Sequence, residues 1–192
     1  MTQQEKEYTW DDLANAIGQD FSGGDVRVGA DDVERGAIRR FCEPIEFDCP
    51  LHHDDEVAKR YGYKGIIAPP SSIYQPFAVG PIWQPGDKTR WPTADYNQAA
   101  VRDTSGGNAP PLPAPKTTAG FVTDVEVEYF TPVYVGDRLT TSGRKLVSVN
   151  VRKTSVGYGA FTVFETEIRN QRGELVAALR NGSYAYNPVT AS

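Results

Sequence analysis

The sequence predicts an α+β protein, with helices in its first part and an antiparallel sheet in its last. Three observations carry this. Apolar residues before position 80 recur at helical spacing. After position 119 they alternate with polar ones over long stretches separated by short turns. Runs of helix followed by runs of strand give an α+β order rather than an alternating α/β one.

Tyr8, Trp10, Leu13, Ala14, Ile17 and Phe21 space as an amphipathic helix, with Asp11 and Asp12 suiting its start and Gly18 its end. Residues 1–7 are expected to be loose. Val26 and Val28 suggest a short strand. A second helix is expected over 31–41, with Asp31 as its cap and Glu34 as the partner in a capping box. Val33, Ala37, Ile38 and Phe41 form its buried face, and Pro44 stops it. A loop over 45–52 leads to a helix at 53–61, where Asp54, Asp55 and Glu56 suit the positive N-terminal end. A third segment, 69–79, is expected to be helical, because proline is tolerated in a first turn. It is the most apolar helix, so the sheet should wrap it. Residues 80–118 carry seven prolines together with Trp83, Trp91 and Tyr96. A long loop of this kind is usually functional or disordered, and the aromatics argue for partial order. Strands are expected at 121–129, 139–151, 156–170 and 174–187, as an antiparallel meander.

The 192 residues fit one domain, 1–192, with 80–118 as an insertion. Net charge is −5, which argues against nucleic acid as a partner, since phosphate binding needs a basic field. Two cysteines and a polar, acidic start point to a reducing, cytoplasmic setting. No apolar run approaches a membrane span.

The chemistry concentrates in Pro44–Pro70. This stretch holds both histidines, His52 and His53, and one of the two cysteines, Cys49. Glu46, Asp48, Asp54, Asp55 and Glu56 surround them. Asp48 and His53 lie five residues apart across a loop-to-helix junction, and a carboxylate and an imidazole so placed can share one water. Adjacent histidines in an acidic loop are also ordinary surface residues, and spacing alone leaves both readings open. Cys42, Cys49, His52 and His53 have zinc-ligand chemistry but poor spacing, so no metal is expected. No Gly-x-Ser-x-Gly elbow is present. Arg35, Arg39 and Arg40 read as a solvated helix face, with Arg39 or Arg40 on a ligand phosphate as the lesser reading.

The loop Pro50-Leu51-His52-His53-Asp54, the run Gly65-Ile66-Ile67-Ala68-Pro69-Pro70, and Val127–Leu139 with its Pro132-Val133 and Gly136-Asp137 together resemble the MaoC-like dehydratase family, in its N-terminal-type domain. The resemblance covers roughly 20–185. It implies a hot-dog fold, an antiparallel sheet wrapped around a central helix. It implies addition of water to, or its loss from, an acyl thioester, usually a 2-enoyl-CoA giving a 3-hydroxyacyl-CoA, in fatty-acid or steroid side-chain metabolism. The implied substrate is a CoA or acyl-carrier thioester with no cofactor. The implied partner is a second MaoC-like chain, in a homodimer or heterodimer, with no nucleic acid or membrane involved.

The family loop reads Asp-x-Asn-Pro-Leu-His. Aligning Pro50-Leu51-His52 on it places Phe47 at the Asp and Cys49 at the Asn; sliding by one restores the spacing with Asp48 and His53. The expected catalytic pair is therefore Asp48 and His53, with His52 in reserve. His52, Ile67, Ala68, Pro69 and Pro70 are the expected substrate contacts. Pro70 stands where a thioester-oxygen donor is expected, and proline has no N–H. A non-catalytic binding subunit is the alternative. A thioesterase ranks lower, because 69–79 holds no carboxylate.

Overall fold

A computed structural model describes residues 7–91, 93–95, 97–99 and 109–189. Its centre is one five-stranded sheet: β1 (Val26–Val28), β2 (Ala119–Tyr129), β3 (Leu139–Lys153), β4 (Gly157–Asn170) and β5 (Leu175–Pro188). The spatial order is β1-β3-β4-β5-β2, and every neighbouring pair is antiparallel. The strands follow the alternation closely. Their order departs from the expected meander in one place, since β2 lies beside β5 rather than β3. Residues 130–138 make the crossing. They are pulled beneath the sheet end by hydrogen bonds from Ala68 N–H to Val133 O (2.8 Å) and from Gly136 N–H to Val33 O (2.8 Å). The buried Asp137 carboxylate anchors this turn, accepting from Tyr134 N–H, the Gln171 amide and Arg172.

Helix α1 (Trp10–Asn15) is capped by Thr9, whose side chain and that of Asp12 form a reciprocal capping box. Helix α2 (Arg35–Cys42) starts four residues later than expected, and neither Asp31 nor Glu34 caps it through a side chain. Both polar backbone groups of Val33 are taken by the 136–137 turn, which holds that stretch out of a helix. Asp32 instead pairs with Arg138. Helix α3 (Asp55–Arg60) has Asp54 as its cap. The 69–79 segment is not an α-helix but a 3₁₀ turn, Pro70–Ser72, followed by a π turn, Ile73–Phe77. Pro76 lacks the N–H group that an α-helical ladder through this segment would use.

Two apolar clusters hold these layers against one face of the sheet. The larger joins Ile38 and Cys42 of α2 and Ile66, Ala68, Ile73 and Phe77 to Leu139, Ile168, Val176 and Ala177. The sheet thus packs on segment 66–78, as expected. The second joins Leu13, Ala16 and Phe21 to Leu146, Ala160 and Phe164, with Leu112 and Ala114 packed against it. Order in the proline-rich stretch therefore comes from Leu112 and Ala114. Trp83 and Trp91 are exposed and do not supply it. Tyr96 and residues 1–6 lie outside the described residues.

Asp20 ties the α1 end to β3. Its Oδ1 accepts from Arg144 N–H (2.9 Å) and Ser22 N–H (2.7 Å), and these bonds, Arg144 first, hold its carboxyl below the ordinary 3.8. A lowered folded value contributes stability that is present above 3.8 and is lost as pH falls through the folded value. Asp20→Asn should therefore be less stable than wild type at pH 7, with the gap closing below pH 3.8. Urea unfolding at both pH values checks this.

Candidate active site

The site is built where the α2–α3 connection meets segment 65–68. After α2 the chain makes a 3₁₀ turn, Glu43–Ile45, and Glu46 closes it in the left-handed region (φ 50°). Among the described residues it is the one non-glycine with positive φ. Such a conformation is costly and clusters at functional sites. It turns the chain so that Phe47 N–H bonds Cys42 O (3.1 Å) and the Phe47 ring lies 5.0 Å from that of His52. Burial, and then the nearby Cys49, push the Cys42 thiol above its ordinary value, which keeps it an inert core group.

The two histidines have different environments. His52 ends the 3₁₀ turn Pro50–His52 and is 5% exposed. Its Nδ1 lies 2.8 Å from Ile67 O. A carbonyl only accepts, so Nδ1 carries a proton, and of the two neutral tautomers the one with the lone pair on Nε2 fits. Nε2 has no partner among the described residues, none of whose fully buried side-chain nitrogens or oxygens is unpartnered, so Nε2 reaches solvent. A ring held by one nitrogen with the other nitrogen open is the arrangement a general base needs. His53 is exposed, and its Nε2 is engaged by Phe47 O at 2.8 Å. Asp48 is exposed and has no hydrogen bond or ion pair among the described residues. The aromatic contact of His52 is thus with Phe47, at the position the family gives to Asp.

Ile67, Ala68 and Pro69 are buried, and Pro70 is exposed. Ile67 binds through both backbone groups, its N–H giving to Leu51 O (3.2 Å) and its carbonyl accepting from His52. Ser72 Oγ donates to Pro69 O (2.6 Å). Ser71 N–H, the first after Pro70, makes no backbone bond among the described residues. Sequence reasoning missed Arg35 and Asp55, which bridge to this loop from α2 and α3. A signal was available: with Asp54 filling the cap, Asp55 has no helical hydrogen-bonding task. Arg39 pairs with Glu43, the solvated-face role expected of it.

A cavity of about 390 Å³ opens beside Ile66, lined in part by Lys64, Tyr134, Asp137 and Arg172. Its strongest cation is already neutralised, because Arg172 contacts Asp137 and Glu174 and is held above its ordinary value first by Asp137. No helix among the described residues is long and apolar enough to cross a membrane.

The family model described as FAS1-like, dehydratase domain region matches residues 15–179. A probable enoyl-CoA hydratase alpha subunit from Thermomonospora curvata is 26% identical over 161 residues, or 82% of this chain and 46% of that protein. The chain thus spans about half the length of that relative. A UPF0336 protein from Saccharopolyspora erythraea is 32% identical over 78% of each chain. Among solved structures, a chain of the ChsH1-ChsH2 complex from Mycobacterium tuberculosis superposes with TM-score 0.61 at 18% identity, over 94% of this chain and 92% of that one. The MaoC-like dehydratase from Rhodospirillum rubrum gives 0.50 at 19%, over 86% and 93%. The sheet order, the core packed on 66–78 and a family match over most of the sequence agree: the chain belongs to the FAS1-like dehydratase-region family and has the hot-dog fold of the MaoC-like dehydratase structure.

Proposed function

We propose that this chain is a hydratase/dehydratase domain that adds water to a 2-enoyl-CoA, or removes it from the 3-hydroxyacyl-CoA, with His52 as its proton carrier. One observation carries the reading: the buried His52 ring gives Nδ1–H to Ile67 O and leaves Nε2 open. Nε2 takes a proton from water as the oxygen bonds C3, and the same proton then passes to C2. Meanwhile the thioester oxygen gains charge and is met by a backbone N–H, for which Ser71 replaces Pro70. The family relationship and the name of the T. curvata relative support the substrate class.

The acyl group sits on the face of the sheet that carries the core. Val122 pairs with Ser183, which pairs with Thr162; Val125 pairs with Asn181, which pairs with Phe164. Residues paired across strands share a face, so Val122 and Val125 lie on the same face as Thr162 and Phe164, one strand further out. They are nevertheless 69% and 59% exposed. The short 70–77 segment stops before covering them, which suits a broad or ring-containing acyl group.

The second reading, a binding half that leaves the chemistry to another MaoC-like chain, is favoured by Phe47 in place of the family's carboxylate. The edge strand β2, with Phe121, Val122, Val125 and Tyr129 exposed, offers the surface for that chain. Crotonyl-CoA and longer enoyl-CoAs separate the two readings. Hydration by the purified chain, lost in His52→Ala, supports the first. Inactivity alone, with activity appearing on addition of a MaoC-like partner and unchanged by His52→Ala, supports the second.

A further inference from the structure

We propose that Asp55 is a positioning residue that, through the 66–67 backbone, holds His52 in the tautomer with Nε2 free. The connections are continuous. Arg35 of α2 donates from Nη1 to Asp55 Oδ2 (2.9 Å) and from Nη2 to His53 O (3.1 Å). The other carboxylate oxygen, Oδ1, accepts from Ile66 N–H (3.0 Å). The next residue, Ile67, gives its N–H to Leu51 O and receives His52 Nδ1 on its own carbonyl. One carboxylate thus fixes the segment that fixes the imidazole, and one guanidinium fixes both that carboxylate and the loop carrying the histidines.

Three features set this apart from ordinary helix capping. Asp54 already fills the cap, accepting from Glu56 N–H (2.8 Å) and Val57 N–H (3.1 Å). The Asp55 carboxylate bonds to a residue eleven positions away instead of its own helix. At Gly65, a Cβ would stand 2.9 Å from Asp55 Oδ1, so a side chain there would push on this carboxylate and on no other group. The Ile66 N–H, and then Arg35, also hold the Asp55 carboxyl below its ordinary value, keeping it an ionised acceptor at neutral pH. A partner that orients a working imidazole from behind is a recurring device, because the bond at one ring nitrogen decides what the other can do.

This rests on the reading of His52 as proton carrier, but its test does not require turnover. The chain has two histidines, so ¹⁵N-histidine labelling gives two sets of ring signals, assigned with His53→Gln. In wild type, His52 should show the Nδ1–H tautomer with an unprotonated Nε2. Asp55→Ala should make that tautomer the minor one, and Asp55→Asn, which keeps an oxygen for Ile66 N–H, should restore it. Should Asp55→Ala fail to fold, Gly65→Ala displaces the carboxylate and is expected to move His52 the same way. An unchanged His52 tautomer in the folded Asp55→Ala or Gly65→Ala protein overturns the proposal, as does Asp55→Asn behaving like Asp55→Ala. If no variant or wild type hydrates enoyl-CoA while the tautomer shifts as described, the hydratase reading fails and the positioning role stands.

Discussion

His52→Ala is expected to lower enoyl-CoA hydration by about 10²- to 10⁴-fold, the usual contribution of a positioned general acid–base group. The loss should fall on kcat more than KM, because the role proposed for the ring is proton transfer in the transition state rather than ground-state binding. His53→Ala should cost less, since its Nε2 is occupied by Phe47 O and its part is to hold the Phe47 loop. Asp48→Asn should cost least, since this exposed carboxylate bonds nothing among the described residues. Steady-state kinetics on the three variants decide the matter. If His52→Ala keeps wild-type activity while Asp48→Asn and His53→Ala lose it, Asp48 and His53 are the pair and the assignment to His52 falls. Phe47→Asp restores the family's carboxylate beside the same imidazole, and the same assay reads its effect.

Gly159→Ala should destabilise the sheet by about 3 kcal/mol, the upper end of ordinary overpacking. In a chain of this size that lowers Tm by about 6–12 °C. Gly159 lies on the central strand β4, between Arg152 of β3 and Tyr186 of β5. An added Cβ would overlap the Ala185 carbonyl oxygen and stand 2.6 Å from Tyr186 Cα, so backbone rather than a side-chain tip must give way. The glycine lets β5 come close enough for Tyr184 to stack between Phe161 (4.2 Å) and Tyr186 (5.0 Å). Tyr184 is fully buried, and its hydroxyl donates to Gly157 O at 2.9 Å. Differential scanning calorimetry should show the drop. A Tm within 2 °C of wild type would mean that the two strands can separate locally at little cost.

The strands were legible because alternation and turn residues are local signals: Val125 and Val127 against Glu126 and Glu128, then Gly136-Asp137 and Gly173. The neighbour of β2 was not, because it depends on residues 130–138 being held by Val33 and Ala68, far off in sequence. The α2 start was misplaced for the same reason, since a local capping box at Asp31 and Glu34 gives way to tertiary bonds at Val33. In the site, the sequence marked the stretch and put Asp48 and His53 first, with His52 in reserve; the proposal of His52 rests on two carbonyls, Ile67 O behind His52 and Phe47 O on His53, and residue spacing does not reveal where a backbone oxygen points. Phe47 and Pro70 were legible as departures from the family loop, and the structure gives the first a physical meaning in its ring contact with His52.

The bulge in β2 has a consequence for solubility. Pairing with β5 runs in register over 119–122, breaks at Thr123 and Asp124, which together face Gly182, and resumes over 125–129, with Gly182 giving room for both side chains. An apolar edge strand as long as β2 is a template for endless strand addition. The kink divides it into two short ladders that do not share one straight line, and a charged Asp124 stands at the join. The edge can accept one shaped partner while resisting growth into fibres.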